Sequence, residues 1–186
     1  ITGVTINGDS TKGGSLTGTI QAAKAIGTIT VNNGDVASAA VIKSLMAGIA
    51  KISVTNGMID GTVVADGAIG TIELKLPSSK ITPRVNGSIG ANADITGASL
   101  AALTVPGDIK AGAVIDLIGS LSTTTIKGNI ENNASISALN IGKTFTVTGN
   151  MNGDLALSQV GSVSTITISG TFGDSASTAT LTTAGS

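Results

Sequence analysis

Residues 128–148 read GNIENNASISALNIGKTFTVT, and Gly149 then opens GNMNGDLALSQVGSVSTITIS over residues 149–169. The two stretches have the same length and the same plan. Gly107, Gly128, Gly149 and Gly170 follow one another at intervals of 21, and Gly87 lies 20 residues before Gly107. A fixed period of this size is the mark of a repeat architecture and is sought before any other feature.

Within the period the apolar residues fall into columns. The third position of each unit holds Ile89, Ile109, Ile130, Met151 and Phe172, and the seventh holds Ala93, Ala113, Ala134, Leu155 and Ala176. The ninth holds Ile95, Ile115, Ile136, Leu157 and Thr178, and the twelfth Ala98, Ile118, Leu139, Val160 and Leu181. The next-to-last position holds Val105, Ile126, Val147 and Ile168. Between the columns polar residues alternate with apolar ones, the period of a β-strand. The N-terminal half keeps the plan at other lengths. Gly34 heads a unit of 23 with Val36, Ala40, Ile42 and Leu45 in the columns, and Gly57 heads a unit of 30 with Ile59, Val63, Ala65 and Ala68. Before Gly34 the register is open between Gly8 and Gly18.

Three short strands per unit, bent at Gly, Asn and Asp, describe one coil of a parallel β-solenoid. We therefore expect an all-β fold forming a single domain over residues 1–186, with irregular coils over 1–86 and regular coils of 20–21 residues over 87–186. Eight or nine coils stacked at the ~4.8 Å strand spacing would make a rod of about 40 Å. Handedness is taken from the general preference for right-handed crossovers between parallel strands. At the corners Gly107, Gly128, Gly149 and Gly170 a turn with positive φ is expected, which Gly adopts without a Cβ clash. Asn33, Asp35, Asn56, Asn86, Asp108, Asn129 and Asn150 flank the corner glycines as residues suited to turns. A rival reading makes ASAAVIKSLMAGIAK (37–51) a helix with a stripe of Val41, Leu45, Met46 and Ile49, and another makes the chain an antiparallel sandwich, which would need no fixed period.

Composition agrees with stacking. Charged residues are 11% of the chain, against roughly 25% in ordinary domains. There is no Trp or Tyr and only two Phe, Phe145 and Phe172. A column that repeats one position coil after coil is tiled by Ile, Val, Leu and Ala, and like charges stacked on themselves would repel.

The same composition removes several chemistries. Without His or Cys the chain has no histidine base, no serine–histidine triad, no thiol nucleophile and no disulfide. A net charge of −1 gives no basic field for nucleic acid. The most apolar run, Val36–Ala50, carries Lys43 and is shorter than the ~20 residues of a membrane span. No cofactor is expected. The first residue is Ile and no signal peptide is visible, so a processed product or an excised piece is expected. The closing TATLTTAGS shows no charged lid, which suggests a segment of a longer protein or coils that stack end to end.

The units PGDIKAGAVIDLIG (106–119), KGNIENNASISALNIG (127–142) and TGNMNGDLALSQVGSVSTITISG (148–170) resemble the Gly-Asn-Ile and Gly-Asp-Ile repeats of large bacterial extracellular β-solenoid proteins, adhesin and autotransporter-like surface proteins among them. The resemblance is clear over Gly87–Ser186 and looser before it. It implies secretion to the cell surface or extracellular matrix and a structural or adhesive role, with self-association or another extracellular protein as partner. It carries no catalytic motif.

Three features are candidates for binding or chemistry. Thr123-x-Thr125, Thr144-x-Thr146 and Thr165-x-Thr167 recur every 21 residues, with Thr28-x-Thr30 and Thr104 in similar places. On a solenoid they would form a regular face resembling those that bind ice, interrupted by Lys51, Glu73 and Ala102. The segment LPSSKITPR (76–84), preceded by Glu73 and Lys75, holds Lys80 and the only Arg, Arg84. Insertions into solenoids become loops on one face, so Lys75, Lys80 and Arg84 are candidates for a glycan or protein contact. Asp35 and Asp108 share the position after the corner Gly with Asn129 and Asn150. That column could hold Ca²⁺ or could stack as a ladder of turn residues. A carbohydrate-active enzyme would need clustered carboxylates, and Asp60, Asp66 and Glu73 are the densest acids. The leading expectation is non-enzymatic.

Overall fold

A computed structural model of the chain describes residues 1–9, 13–77, 87–159 and 165–173, and the backbone of 181–183. It is an all-β parallel solenoid of about seven turns, with a repeat of about 21 residues. Two eight-stranded parallel sheets run its length. The first stacks β1 (Gly3–Asn7), β3 (Ile26–Asn32), β5 (Ile49–Thr55), β7 (Ile69–Lys75), β9 (Leu100–Val105), β11 (Leu121–Ile126), β13 (Ile141–Val147) and β15 (Thr165–Ile168) in that order. The second stacks the shorter β2 (Thr19–Ala22), β4 (Val41–Ser44), β6 (Thr62–Ala65), β8 (Asp94–Gly97), β10 (Val114–Leu117), β12 (Ser135–Ala138), β14 (Asp154–Leu157) and β16 (Leu181–Thr183). The expected third strand is a ladder of single-residue bridges: Leu16, Val36, Ile59, Ile89, Ile109, Ile130, Met151 and Phe172. Eight strands at the usual parallel spacing make the stack about 34 Å long, shorter than the sequence estimate. Segment 37–51 is the turn before β4, β4 itself, the bend after it and the start of β5, so the coil reading holds there and the helix does not.

The third, seventh and ninth columns are core. Ile109, Ile130, Met151, Ala113, Ala134, Leu155, Ile115 and Ile136 are all fully buried. In the third column Phe172, at the end of the bridge ladder, is half exposed, and Ala176 and Thr178 lie outside the described residues. The twelfth column is not core. Ile118 is 83% exposed and Leu45 40%, while Ala68 is exposed and Ala98 and Leu139 are half-buried. The reason is the phase of the pleat. Ala113, Ile115 and Leu117 point inward, so Ile118 comes out as the chain leaves the strand. The inward positions around the bend are instead Leu117, Ala138 and Leu157 before it and Leu100, Leu121 and Ile141 after it. Val160 lies outside the described residues. Leu155 and Val63, read in the sequence as seventh-column residues, pair with Ile136 and Ile42 and so stand in the ninth, because Gly153 and Gly61 take the place beside Ala134 and Ala40. Leu181 pairs with Leu155 and falls in that ninth column rather than the twelfth.

Gly107, Gly128, Gly149 and Gly170 are required for a reason other than the expected one. Positive φ occurs at Asn33, Asn56, Asn133, Gly87, Gly112 and Gly173, and Gly107, Gly128, Gly149 and Gly170 are not among these positions. What they supply is closeness. The Gly128 N–H donates to Gly107 O at 3.0 Å, Gly149 to Gly128 at 3.2 Å and Gly170 to Gly149 at 3.2 Å. A Cβ on Gly149 would sit 2.5 Å from the Gly128 carbonyl oxygen and from Asn129 Oδ1. In the first coils Gly14 takes this place. A Cβ on Gly34 would lie 2.1 Å from Gly14 O, so neither Gly8 nor Gly18 opens that coil.

Candidate binding faces

The long strands place every T-x-T pair on one outer face. Strand alternation buries Val4, Ile29, Ile52, Ile72, Leu103, Thr124, Phe145 and Ile166 to varying degrees and turns the residues on either side outward. One outward column runs Gly3, Thr28, Lys51, Thr71, Ala102, Thr123, Thr144, Thr165. The other runs Thr5, Thr30, Ser53, Glu73, Thr104, Thr125, Thr146, Thr167. Over β9 to β15 these columns form a block in which Ala102 is the one position that is not Thr. The spacing follows from the fold, about 4.8 Å between coils and about 6.6 Å between the two Thr of a strand. Lys51, Glu73 and Ala102 interrupt the columns where the sequence placed them.

The first two interruptions are an ion cluster. Glu73 Oε2 lies 2.7 Å from Lys51 Nζ and 3.3 Å from Lys75 Nζ. The hydrogen bond from Lys51 holds the Glu73 carboxyl below its ordinary range, against the opposing effect of burial and with help from Lys75. Lys75 is therefore turned back onto the Thr sheet by its ion pair. Lys80 and Arg84, its expected companions in the loop, lie outside the described residues.

The column after the corner glycine is a hydrogen-bond ladder between coils. Asp35 Oδ1 accepts the Met58 N–H, Asp108 Oδ1 the Asn129 N–H and Asn129 Oδ1 the Asn150 N–H, each at 2.8 Å. Asn150 Oδ1 accepts the Thr171 N–H at 3.0 Å. Ser15 Oγ and Ser88 Oγ accept from Asp35 and Asp108 in the same way, each at 3.0 Å. These oxygens are committed to backbone, the ladder alternative of the sequence reading. Beside it Lys110 Nζ bridges Asp108 and Glu131, each at 2.8 Å. Asp108 is partly buried, which raises its carboxyl. The Asn129 N–H and Lys110 outweigh that effect and hold it below the ordinary value. Lys110 is raised by its hydrogen bonds to Asp108 and Glu131. Among the described residues no three Asp or Glu side chains stand close enough together to hold a metal ion.

The acids that a glycoside-cleaving site would use are not brought together. Asp60 follows the bridge residue Ile59 and accepts from Asn92 N at 2.9 Å and Asn92 Nδ2 at 3.0 Å. Asp66 stands at the exposed end of β6, and Glu73 on the Thr sheet. The three occupy three different faces. Among the described residues no helix is long and apolar enough to cross a membrane.

The fold and these faces define a parallel β-solenoid with regular outer ladders. Compared with protein families, with curated proteins and with solved structures, the chain finds no match in any of the three.

Proposed function

We propose that this chain is a non-enzymatic structural module, a stiff β-solenoid segment of a bacterial cell-surface or extracellular matrix protein that acts as a stalk or assembles with its own kind. The observation that carries the reading is the continuity of the stack. Two eight-stranded ladders and a column of bridges run from coil to coil, reinforced at the corner by side-chain-to-backbone hydrogen bonds. Each coil is fixed to its neighbours by repeated short contacts, the nearest-neighbour cohesion of solenoids. The polar side chains of the corner serve this cohesion rather than facing a common point where a substrate could sit.

The test is exposure on the intact producing cell. Antibodies raised against the chain should label unbroken cells, or the protein should be recovered from the matrix, and external protease should remove the label. Labelling that appears only after lysis would overturn the reading.

A second reading, an ice-binding face, is favoured by one observation, the block of Thr104, Thr125, Thr146, Thr167, Thr123, Thr144 and Thr165 on four adjacent strands. Regularly spaced hydroxyls and methyls on a stiff sheet can hold a layer of ordered water. Thermal hysteresis that vanishes in Thr146→Lys would support it, and no hysteresis in the parent chain would end it.

A further inference from the structure

The short sheet carries on its outer face three outward positions per coil, and among the described residues no other segment of the chain packs over them. On one coil they are Val41, Lys43 and Leu45, and three coils along the stack they are Val114, Asp116 and Ile118. Leu45 is 40% exposed, Val114 39% and Ile118 83%, an unusual concentration of bare aliphatic surface. Leu45 and Ile118 stand at the two ends of a shallow cleft whose floor includes Val64 and Thr96. Lys43 and Asp116 take part in no ion pair among the described residues. Asp116 accepts a hydrogen bond from Ser137 Oγ through Oδ1 alone.

These two sets are complementary to each other. A two-fold axis along the strand direction, midway between the coils of Val64 and Thr96, keeps each column opposite itself and reverses the order of the coils. It brings Val41 against Val114, Lys43 against Asp116 and Leu45 against Ile118, and each pairing occurs twice. Setting the two stacks parallel instead would put Lys43 against Lys43 and Asp116 against Asp116, which the charges forbid. We propose that the outer face of the short sheet pairs with the same face of a second copy, antiparallel, through this closed two-fold contact. The pairing rests on the structural reading above, for which it supplies a lateral contact between rods. The patch is narrower than a standard interface, so a single contact is weak, with a dissociation constant on the order of 10–100 µM. Repetition along longer stacks would strengthen it by avidity.

Sedimentation equilibrium of the full 186-residue chain tests it. The parent should show a concentration-dependent monomer–dimer equilibrium. Lys43→Glu and Asp116→Lys should each weaken it about tenfold or more, since each removes two charge pairs and adds repulsion. The double variant, with the charges exchanged, should restore it, which only the antiparallel register predicts. Ile118→Asp should abolish dimers while circular dichroism and the melting temperature stay close to those of the parent, because Ile118 is 83% exposed in the single chain. A parent that stays monomeric up to about 1 mM, dimers indifferent to all these changes, no recovery in the double variant, or growth beyond dimers would each overturn the pairing. None of those results would alter whether the protein is found on the cell surface, so the two proposals fail separately.

Discussion

Asn129 accepts the backbone N–H of Asn150 through its Oδ1 at 2.8 Å, one coil further along the stack. The contact does what a main-chain ladder does, with a side chain standing in for the carbonyl. Asn129→Ala leaves that N–H without its partner at a half-open corner and should lower unfolding free energy by about 1 kcal/mol. Asn129→Asp keeps the acceptor and should cost less, as Asp108 already fills the equivalent place one coil before. Urea titration of the two variants beside the parent decides it.

Gly149→Ala should be far more damaging, because the added carbon has no room between Gly128 O and Asn129 Oδ1, both 2.5 Å from where it would stand. Both neighbours are part of the stack, so the coils must part, at a cost of at least about 2 kcal/mol. Gly18→Ala is the control. Nothing lies within 4 Å of its Cβ position, and its effect should stay within about 0.5 kcal/mol. Comparable melting points for the two variants would contradict this account of the corner.

Thr124 is fully buried and, among the described residues, its hydroxyl has no hydrogen-bond partner. Its column is otherwise apolar, with Leu103 on one side and Phe145 on the other. Thr124→Val keeps the shape and removes the unmet hydroxyl, so stability should rise by about 1 kcal/mol. Thr125→Val on the outer face is the comparison and should change it little. Chemical denaturation of both variants gives the answer.

Asp108 titrates below its ordinary value in the folded chain. Its contribution is therefore complete above the ordinary aspartate value, near 3.9, and is lost as pH falls through the lower, folded one. Lys110 is raised, so its contribution is complete below the ordinary lysine value, near 10.4, and is lost as pH rises through the folded one. Asp108→Asn keeps an acceptor for the Asn129 N–H and removes the charge. Its melting temperature should fall less steeply than the parent's on the acid side of pH 4. Added salt should shrink the difference, since these groups are partly exposed.

Ile115 and Ile118 test the assignment of inside and outside. Ile115→Ala empties a fully buried position and should cost about 2–5 kcal/mol. Ile118→Ser should change the stability of the single chain by no more than about 0.5 kcal/mol.

The sequence by itself determined the coil. A period of 21 with Ile, Ala and Ile in the third, seventh and ninth places admits few structures, because only stacked parallel strands set the same residue over itself at every turn. It also predicted the T-x-T columns and their interruptions, since two residues apart on a strand means the same face. The phase of the pleat around the bends was not legible. Ile118 and Leu121 are both aliphatic and three residues apart, and only the path of the backbone turns one to solvent and the other inward. Nor could the sequence give the reason for its glycines. Gly149 is fixed by contact with Gly128 and Asn129, a full coil away, and a local rule about positive φ misplaces the cause. The match of Val41, Lys43 and Leu45 to Val114, Asp116 and Ile118 was hidden for the same reason. Those residues lie about 73 positions apart in the chain and share a face only because the coils stack, at about 4.8 Å per turn.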